Sequence, residues 1–323
     1  MTGAWPWQGV LRALVHARAS ELQLAQYVAV LKGIRKALDD WIPLQRLDIC
    51  RRLFADLGLA VEIDCIFAPL ARPDHVLGAQ VVPTTEAIAL PYRASTHAPE
   101  GSSVHIVVSS RPDYAAEALA SGFYHSFIAG RILRKPLVDH HWLGEAFGYP
   151  SCCVRFFLEH NDWPRQNTYA ETTQASRRLC WETNCLPKHT PFMALFHIPC
   201  AWDCEATRSY TRDVLQAVAM HDEAYAQAIE RLMRTPALTL SEVSTWAMHG
   251  GRHDHGGRVR YASAQYLGSD LRRDRGSVIL ARGDALAIDA GSVLVFREGR
   301  LTDVLPAKCD AGVIEVPLML MFQ

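Results

Sequence analysis

The sequence predicts an α+β protein with a small N-terminal α/β region, a helical cysteine-bearing centre and a mostly antiparallel β C-terminal element. Three observations support this class. Apolar residues at helical spacing give way to short β-like runs in the first third of the chain, the middle third has helical spacing, and short apolar runs punctuated by glycine fill the last third. The predicted regions are 1–135, 136–235 and 236–323.

The N-terminal region begins with two predicted helices, over 21–38 and 43–57, because leucines recur on one side of each segment. Gly58 is expected to end the second helix with a left-handed cap. A third, amphipathic helix is predicted from Asp113 through Ile132. Short apolar runs between these helices predict a sheet. The predicted strands are 61–67, 78–82, 87–90 and 104–109.

The centre and the tail of the chain differ in periodicity. Residues 154–160 continue a helix from a cysteine pair, and 205–233 are predicted to form one long amphipathic helix. Beyond residue 236 the apolar runs are short, and Gly-Asp, Gly-Ser and Glu-Gly pairs typical of turns separate them. The strands predicted there are 259–267, 278–281, 285–288, 293–297 and 313–321.

Composition narrows the range of partners. The chain has 323 residues, a formal net charge of −1 and 49% hydrophobic residues, which is ordinary for a globular protein. So small a net charge provides no overall field for nucleic acid or an anionic membrane, and no long uninterrupted apolar stretch predicts a membrane span. We therefore expect a small-molecule or peptide substrate, no nucleic acid and no membrane. The apolar strands of the tail would suit a homodimer surface.

Cysteine usage predicts a reducing, cytoplasmic setting. No basic segment precedes the apolar run at the N-terminus, so this run does not read as a signal peptide. The chain has nine cysteines, an odd number, whereas a disulfide framework uses pairs. In a reducing compartment, clustered cysteines more often bind metal or act in catalysis than form disulfides.

Six of the nine cysteines lie between Cys152 and Cys204. Cys152 and Cys153 follow Gly-Tyr-Pro-Ser, and Cys200 and Cys204 follow His-Ile-Pro. Each block opens with proline and leads into a predicted helix start, where the positive end of the helix dipole favours thiolate. Thiolates are the ligands of zinc sites and of iron–sulfur clusters, so these blocks indicate a metal centre.

The leading interpretation is a metalloenzyme with a thiolate-ligated iron–sulfur cluster, most simply 4Fe-4S. An iron left open by the protein would act on a small molecule or peptide in a lyase, hydratase, sulfur-handling or redox reaction. The predicted ligands are Cys152, Cys153, Cys200 and Cys204. The candidate catalytic residues, which would move protons beside the cluster, are His197, Asp203 and Glu205.

Two alternatives use the same cysteines. In the first, a structural zinc stabilises a binding or scaffold protein. In the second, no metal is bound, and Cys152 or Cys204 is a low-pKa nucleophile or redox thiol that the other cysteines resolve. The sequence contains no Walker A loop, no dinucleotide-binding glycine motif and no serine nucleophile elbow, which argues against nucleotide-dependent and serine-hydrolase chemistry.

The two cysteine blocks resemble those of an uncharacterised prokaryotic family, a domain of unknown function. The shared patterns are G-Y-P-x-C-C-V-x-F-F and H-x-P-C-x-x-D-C-E, with a Trp/Asn-containing segment between them, here 181–184. The resemblance covers roughly residues 120–235. It singles out the same four cysteines as ligands, leaves out Cys180 and Cys185, and implies no particular reaction.

Other cysteines and histidines carry weaker signals. Three histidines flanked by glycine pairs are expected to form an exposed, flexible loop, whereas a catalytic metal site needs rigid ligands. These histidines are His249, His253 and His255. The isolated cysteines, expected to be small buried hydrophobic residues, are Cys50, Cys65 and Cys309.

Overall fold

The structure is a computed structural model, and it confirms the α+β class. The residues that it describes are 24–69, 87–91, 98, 100–121, 127–128, 131–132, 139–160, 167–241, 244–268, 274–307, 309–310 and 313–323. The chain falls into two compact units, one of Met1–Arg155 with Arg212–Ala226 and the other of Phe156–Thr211 with Gln227–Gln323. The division into three regions predicted from the sequence stays a prediction. No helix among the described residues has the length and apolarity that crossing a membrane requires.

The N-terminal part of the chain forms an antiparallel sheet flanked by helices. Its elements are α1 (Leu24–Leu31), β1 (Ala37–Pro43), a 3-10 turn (Leu44–Arg46), α2 (Leu47–Asp56), β2 (Ala60–Pro69), β3 (Ala87–Pro91), β4 (Ser103–Ser109) and α3 (Pro112–Ala120). The strand order is β1-β4-β2-β3, so the apolar β4 lies inside the sheet, and six of its seven residues are buried. Three of the four predicted strands are confirmed, and the fourth, 78–82, lies outside the described residues.

Two of the helices predicted in this region are too long. The first ends at Leu31, where Gly33 turns the chain at φ +70°, and residues 37–43 form a strand instead. The helix that begins near Asp113 ends at Ala120, and the Ser121 Oγ donates to the Glu117 carbonyl at 2.9 Å, a side-chain bond of the kind that competes with helix structure. Phe127 and Ile132, expected on that helix, instead pair in two short strands. These are β5 (Phe127–Ile128) and β6 (Arg131–Ile132). Gly58 has the predicted left-handed conformation, at φ +74°.

The centre of the chain is helical, as predicted. Its elements are α4 (His140–Ala146), α5 (Ser151–His160), α6 (Thr168–Ala175), two 3-10 turns (Trp181–Thr183 and Leu186–His189), α7 (Glu205–Ala219) and α8 (Glu223–Met233). The single helix predicted over 205–233 is therefore wrong. Asp222 accepts a hydrogen bond from the Tyr225 N–H at 2.9 Å, which is the N-cap interaction of a new helix.

The C-terminal part of the chain builds two larger antiparallel sheets around one apolar core. Its elements are β7 (Ala237–Ser241), β8 (Ser244–His249), β9 (Arg252–His253), β10 (Val259–Arg260), β11 (Ser263–Tyr266), α9 (Asp274–Ala281), β12 (Ala285–Asp289), β13 (Ser292–Arg297), β14 (Arg300–Pro306), β15 (Cys309–Asp310), β16 (Val313–Ile314) and β17 (Leu318–Leu320). The strand orders of the two larger sheets are β14-β13-β12-β10-β9 and β11-β8-β7-β17, and β15 and β16 form a separate two-stranded pair. Side chains from both sheets, among them Leu238, Trp246 and Val295, meet in the core.

The strand predicted over 278–281 is wrong, because these residues lie in α9. A four-residue apolar run does not distinguish a strand from a buried helix turn. The helix packs closely on the Trp246 ring at Gly276. A Cβ placed on Gly276 would lie 2.5 Å from that ring, so only glycine allows this tertiary contact. The strands predicted over 259–267 and 313–321 are each divided into two short strands that pair in different sheets. The tail also contains β7, β8 and β14, which the sequence patterns did not predict.

Candidate metal centre

The structure brings together the sulfur atoms of the four predicted ligands. The Sγ atoms of Cys152, Cys153, Cys200 and Cys204 all lie within 4.8 Å of one another, and those of Cys152 and Cys153 are 3.9 Å apart. Cys153 is buried, and Cys152 and Cys200 are partly buried. Within the described residues, this is the one group of three or more potential ligands that could hold a metal ion.

A tight turn between two helices positions the first cysteine pair. The N–H of Gly148 donates to the Glu145 carbonyl at 3.0 Å, and the N–H of Tyr149 donates to the Gly144 carbonyl at 2.7 Å. With Gly148 at φ +72°, these bonds form a Schellman motif that ends α4. Pro150 follows, and its carbonyl accepts from the N–H of Cys153 at 2.9 Å. The pair therefore occupies the first turn of α5, as the sequence predicted.

A buried tryptophan fixes the segment that carries the second pair. Trp202 is fully buried between Cys200 and Cys204. Its backbone N–H donates to Ser176 Oγ at 2.6 Å, and its indole N–H donates to Thr173 Oγ1 at 2.9 Å. Its carbonyl accepts from the Cys180 N–H at 2.9 Å and from the Thr183 hydroxyl at 2.6 Å. In addition, Thr172 Oγ1 in α6 donates to the Pro199 carbonyl at 2.9 Å. Five hydrogen bonds therefore hold this loop in place.

The second pair also leads into a helix start. The N–H of Cys204 donates to the Ala201 carbonyl at 3.0 Å, and the Cys204 carbonyl accepts from the Arg208 N–H at 3.0 Å, which opens α7. The unpaired N–H groups of a first helical turn, with the positive end of the dipole, stabilise negative charge. Both cysteine pairs therefore lie next to the start of a helix.

The three candidate catalytic residues have different surroundings. His197 is buried, with Nε2 3.1 Å from Thr207 Oγ1 in the first turn of α7, and its ring packs edge-on against Tyr210. Glu205 is exposed and pairs with Arg208 at 2.6 Å. Asp203 is partly buried. Proton-transfer roles for His197, Asp203 and Glu205 stay predictions.

An ion pair beside the second block was not anticipated from the sequence. Arg208 also reaches Glu182, at 3.2 Å, and Glu182 is buried in the 3-10 turn between the two cysteine blocks. The hydrogen bond to Glu182 raises the pKa of Arg208. A buried Glu and an Arg separated by 26 positions leave no periodic signal in the sequence, so only the fold reveals their pairing.

The remaining cysteines do not join the group of four. Cys180 and Cys185 are buried in the same region, yet neither is a member of it. Cys50 is buried in α2, as expected. Cys65 is only partly buried, and desolvation raises the pKa of its thiol, with Asp64 adding to the rise.

The glycine-flanked histidines do not converge on a metal site among the described residues. His249 ends β8 and its Nε2 lies 2.8 Å from Gln265 Oε1. His253 lies in β9 and His255 in the following turn, and both are exposed. The expected loop is therefore partly strand.

The donor set and its spacing fit one tetrahedral metal ion. A Zn–S bond of about 2.3 Å in tetrahedral geometry places neighbouring sulfur atoms about 3.8 Å apart. The 3.9 Å between Cys152 and Cys153 is close to this value, and the 4.8 Å limit for the other pairs requires only small side-chain adjustments. Adjacent cysteines in one helical turn are thus both available as ligands.

Comparisons of the chain with models of protein families, with curated proteins and with solved structures find no match in any of the three. The resemblance to an uncharacterised prokaryotic family therefore stays a prediction. What the chain does must be argued from the residues of the four-cysteine group and the elements that hold them.

Proposed function

We propose that this chain is a zinc protein in which four cysteines hold one Zn²⁺, and that the ion stabilises a binding or scaffold protein. The observation that carries the proposal is the sulfur spacing, with all four Sγ atoms within 4.8 Å of one another. Structural zinc sites are closed and tetrahedral, and four cysteine thiolates are one of their common ligand sets. The ligands would be Cys152, Cys153, Cys200 and Cys204.

The distance between the sulfur atoms also distinguishes a site for a single metal ion from a site for an iron–sulfur cluster. In a cubane cluster, each cysteine binds a different iron, so the iron–iron separation adds to the distance between thiolates, which becomes roughly 6 Å. A limit of 4.8 Å is shorter than this. The iron–sulfur metalloenzyme predicted from the sequence would therefore require the sulfur atoms to move apart, whereas zinc would not.

Electrostatics supports the same ion. Four thiolates around Zn²⁺ leave a net charge of −2, which must be stabilised in a partly buried site. The first turns of α5 and α7, next to the two cysteine pairs, supply amide donors and positive dipole ends. The position of the cysteine pairs beside helix starts would therefore stabilise the negative charge of metal-bound thiolates.

A second candidate, an enzyme acting at the centre, is favoured by one observation. Cys152 and Cys200 are partly exposed, so a substrate could approach their sulfur atoms. In that case His197, Asp203 or Glu205 would handle protons on a small molecule or peptide. Zinc or iron at the same ligands would act as the Lewis acid.

The first experiment is anaerobic purification followed by elemental analysis and an absorption spectrum. We expect about one zinc per chain, no iron, and no absorbance band near about 400 nm of the kind that iron–sulfur clusters give. Cys200→Ser should lose the zinc. Cys185→Ala, which removes a buried thiol from the same region but outside the group, should retain it.

Other results of this experiment would favour a different function. Four irons with matching sulfide would replace the zinc proposal with the cluster enzyme. Protein free of metal, with thiols that react rapidly at low pH, would favour the cysteine-nucleophile alternative. Zinc that survives Cys200→Ser and Cys204→Ser together would show that the ion binds elsewhere.

A further inference from the structure

A buried arginine lies beside the turn that leads to the first cysteine pair. Arg35 is 3% exposed. Its Nη1 donates to the Gln26 side-chain oxygen, and its guanidinium lies 5.3 Å from the centre of the Phe147 ring and 5.8 Å from that of Tyr149. Among the described residues, no carboxylate pairs with Arg35, and its Nε has no hydrogen-bond partner.

An arginine in this position needs negative charge nearby. Its guanidinium keeps its proton in proteins, so it does not become neutral on burial as lysine can. Burying a charge without a compensating charge is costly, and aromatic rings and one amide offset only part of that cost. No described carboxylate supplies that counter-charge through a direct ion pair with Arg35.

The contacts of Arg35 lead directly to the metal ligands. Phe147 and Tyr149 flank Gly148 in the Schellman turn, and their rings also pack edge-on, with centres 5.8 Å apart. Tyr149 precedes Cys152 by only three positions, with Pro150 and the start of α5 between them. The guanidinium therefore holds the two rings on either side of the glycine that sets the direction of α5.

We propose that Arg35 is a positioning residue for the four-cysteine centre. Its guanidinium fixes the turn that delivers Cys152 and Cys153, and its buried positive charge is balanced by the net charge of −2 on the zinc tetrathiolate. This inference rests on the proposed zinc site. It predicts an energetic coupling between residue 35 and the metal that a purely structural arginine would not have.

The test separates charge from packing with three variants. Arg35→Met keeps a long apolar stem and removes the charge, Arg35→Lys keeps the charge, and Val28→Ala creates a cavity at a fully buried position of α1 without changing charge. Zinc affinity is measured by competition with a chromophoric chelator. The thermal stability of the metal-free protein is measured separately.

The expected result is a pair of changes in opposite directions. Arg35→Met should weaken zinc binding about tenfold, equivalent to about 1.4 kcal/mol, while leaving the metal-free protein equally or more stable, because a buried unbalanced charge has been removed. Arg35→Lys should retain most of the affinity. Val28→Ala should destabilise the metal-free protein and leave the zinc affinity unchanged.

Two results would overturn the inference while the zinc site stands. One is that Arg35→Met destabilises the metal-free protein and leaves zinc affinity intact, which is the behaviour of a packing residue. The other is that Arg35→Lys binds zinc as weakly as Arg35→Met, which would show that charge is not what the site needs. Wild-type protein that holds no zinc would contradict the proposed function itself, and the inference with it.

Discussion

At the scale of single residues, the N-terminal sheet contains a buried histidine. His105, on β4, is completely buried, with Nδ1 3.0 Å from an Asp64 oxygen and Nε2 3.4 Å from an Asp39 oxygen. Burial alone would lower the pKa of His105, but hydrogen bonds to Asp39 and Asp64 outweigh it, and the net shift is upward. Protonated His105 therefore links β1 and β2 through the strand between them.

This arrangement predicts a pH dependence of stability with a definite sign. Because the pKa in the folded protein exceeds the ordinary histidine value of about 6.5, the contribution of protonated His105 is complete below that value and is lost as pH rises through the higher folded pKa. His105→Gln should cost about 3 kcal/mol near pH 6. The cost should decrease at alkaline pH. Urea unfolding of both proteins across this range measures the difference, and a cost that grows with pH would contradict the assignment.

At the scale of elements, close packing of α4 on α5 sets the position of the first cysteine pair. A Cβ placed on Gly144 would lie 2.3 Å from Val154 Cγ2, far inside contact distance. Val154 directly follows Cys153 in α5, so the separation of the two helices is coupled to the placement of the ligands. Glycine stands in the middle of α4 although it disfavours helices, because only glycine allows this approach.

We expect Gly144→Ala to destabilise the protein by about 2 kcal/mol, since overpacking outweighs the better helix propensity of alanine. Val154→Ala in the same chain should recover part of the loss by removing the methyl groups that the new Cβ meets. Urea unfolding of the single and double variants tests this coupling. Gly256→Ala, whose new Cβ would have only one neighbour, at 3.4 Å, is the matched control. Additive effects of the two changes would argue against direct contact.

At the scale of the whole chain, its C-terminal residues support the loop that carries Cys200 and Cys204. β17 pairs with β7, and the residues after it reach Trp202: the Phe322 ring packs edge-on against the indole with centres 5.5 Å apart. Gln323 donates its N–H to the Leu179 carbonyl at 2.9 Å, and its carbonyl accepts from the Trp181 N–H at 3.2 Å. Residues far apart in sequence thus fix the loop that carries Cys200 and Cys204.

Phe322→Ala should therefore affect both stability and the metal. Removing a buried aromatic ring is expected to cost about 3 kcal/mol, and the looser packing around Trp202 should weaken zinc binding severalfold. Chemical unfolding and chelator competition measure the two effects. Leu301→Ala, at a 55% exposed position of β14, should change neither. Unchanged zinc affinity in a destabilised Phe322→Ala protein would show that the loop keeps its shape without this contact.

The sequence by itself determined the chemistry available to this protein. Proline before each cysteine block and the apolar spacing of the middle third act within a few residues, so they predicted the helix starts correctly. The same local signals failed where a cap at Asp222 divided a helix and where a short apolar run at 278–281 packed as α9.

Only the tertiary structure decided what those cysteines form together. Convergence of the four sulfur atoms within 4.8 Å depends on the Schellman turn, the burial of Trp202 and the hydrogen bonds around it, which join residues separated by tens of positions. Zinc and iron–sulfur centres both use thiolate ligands and differ in the distance between the sulfur atoms, so the proposal of a single zinc ion depends on this spacing and not on the type of ligand.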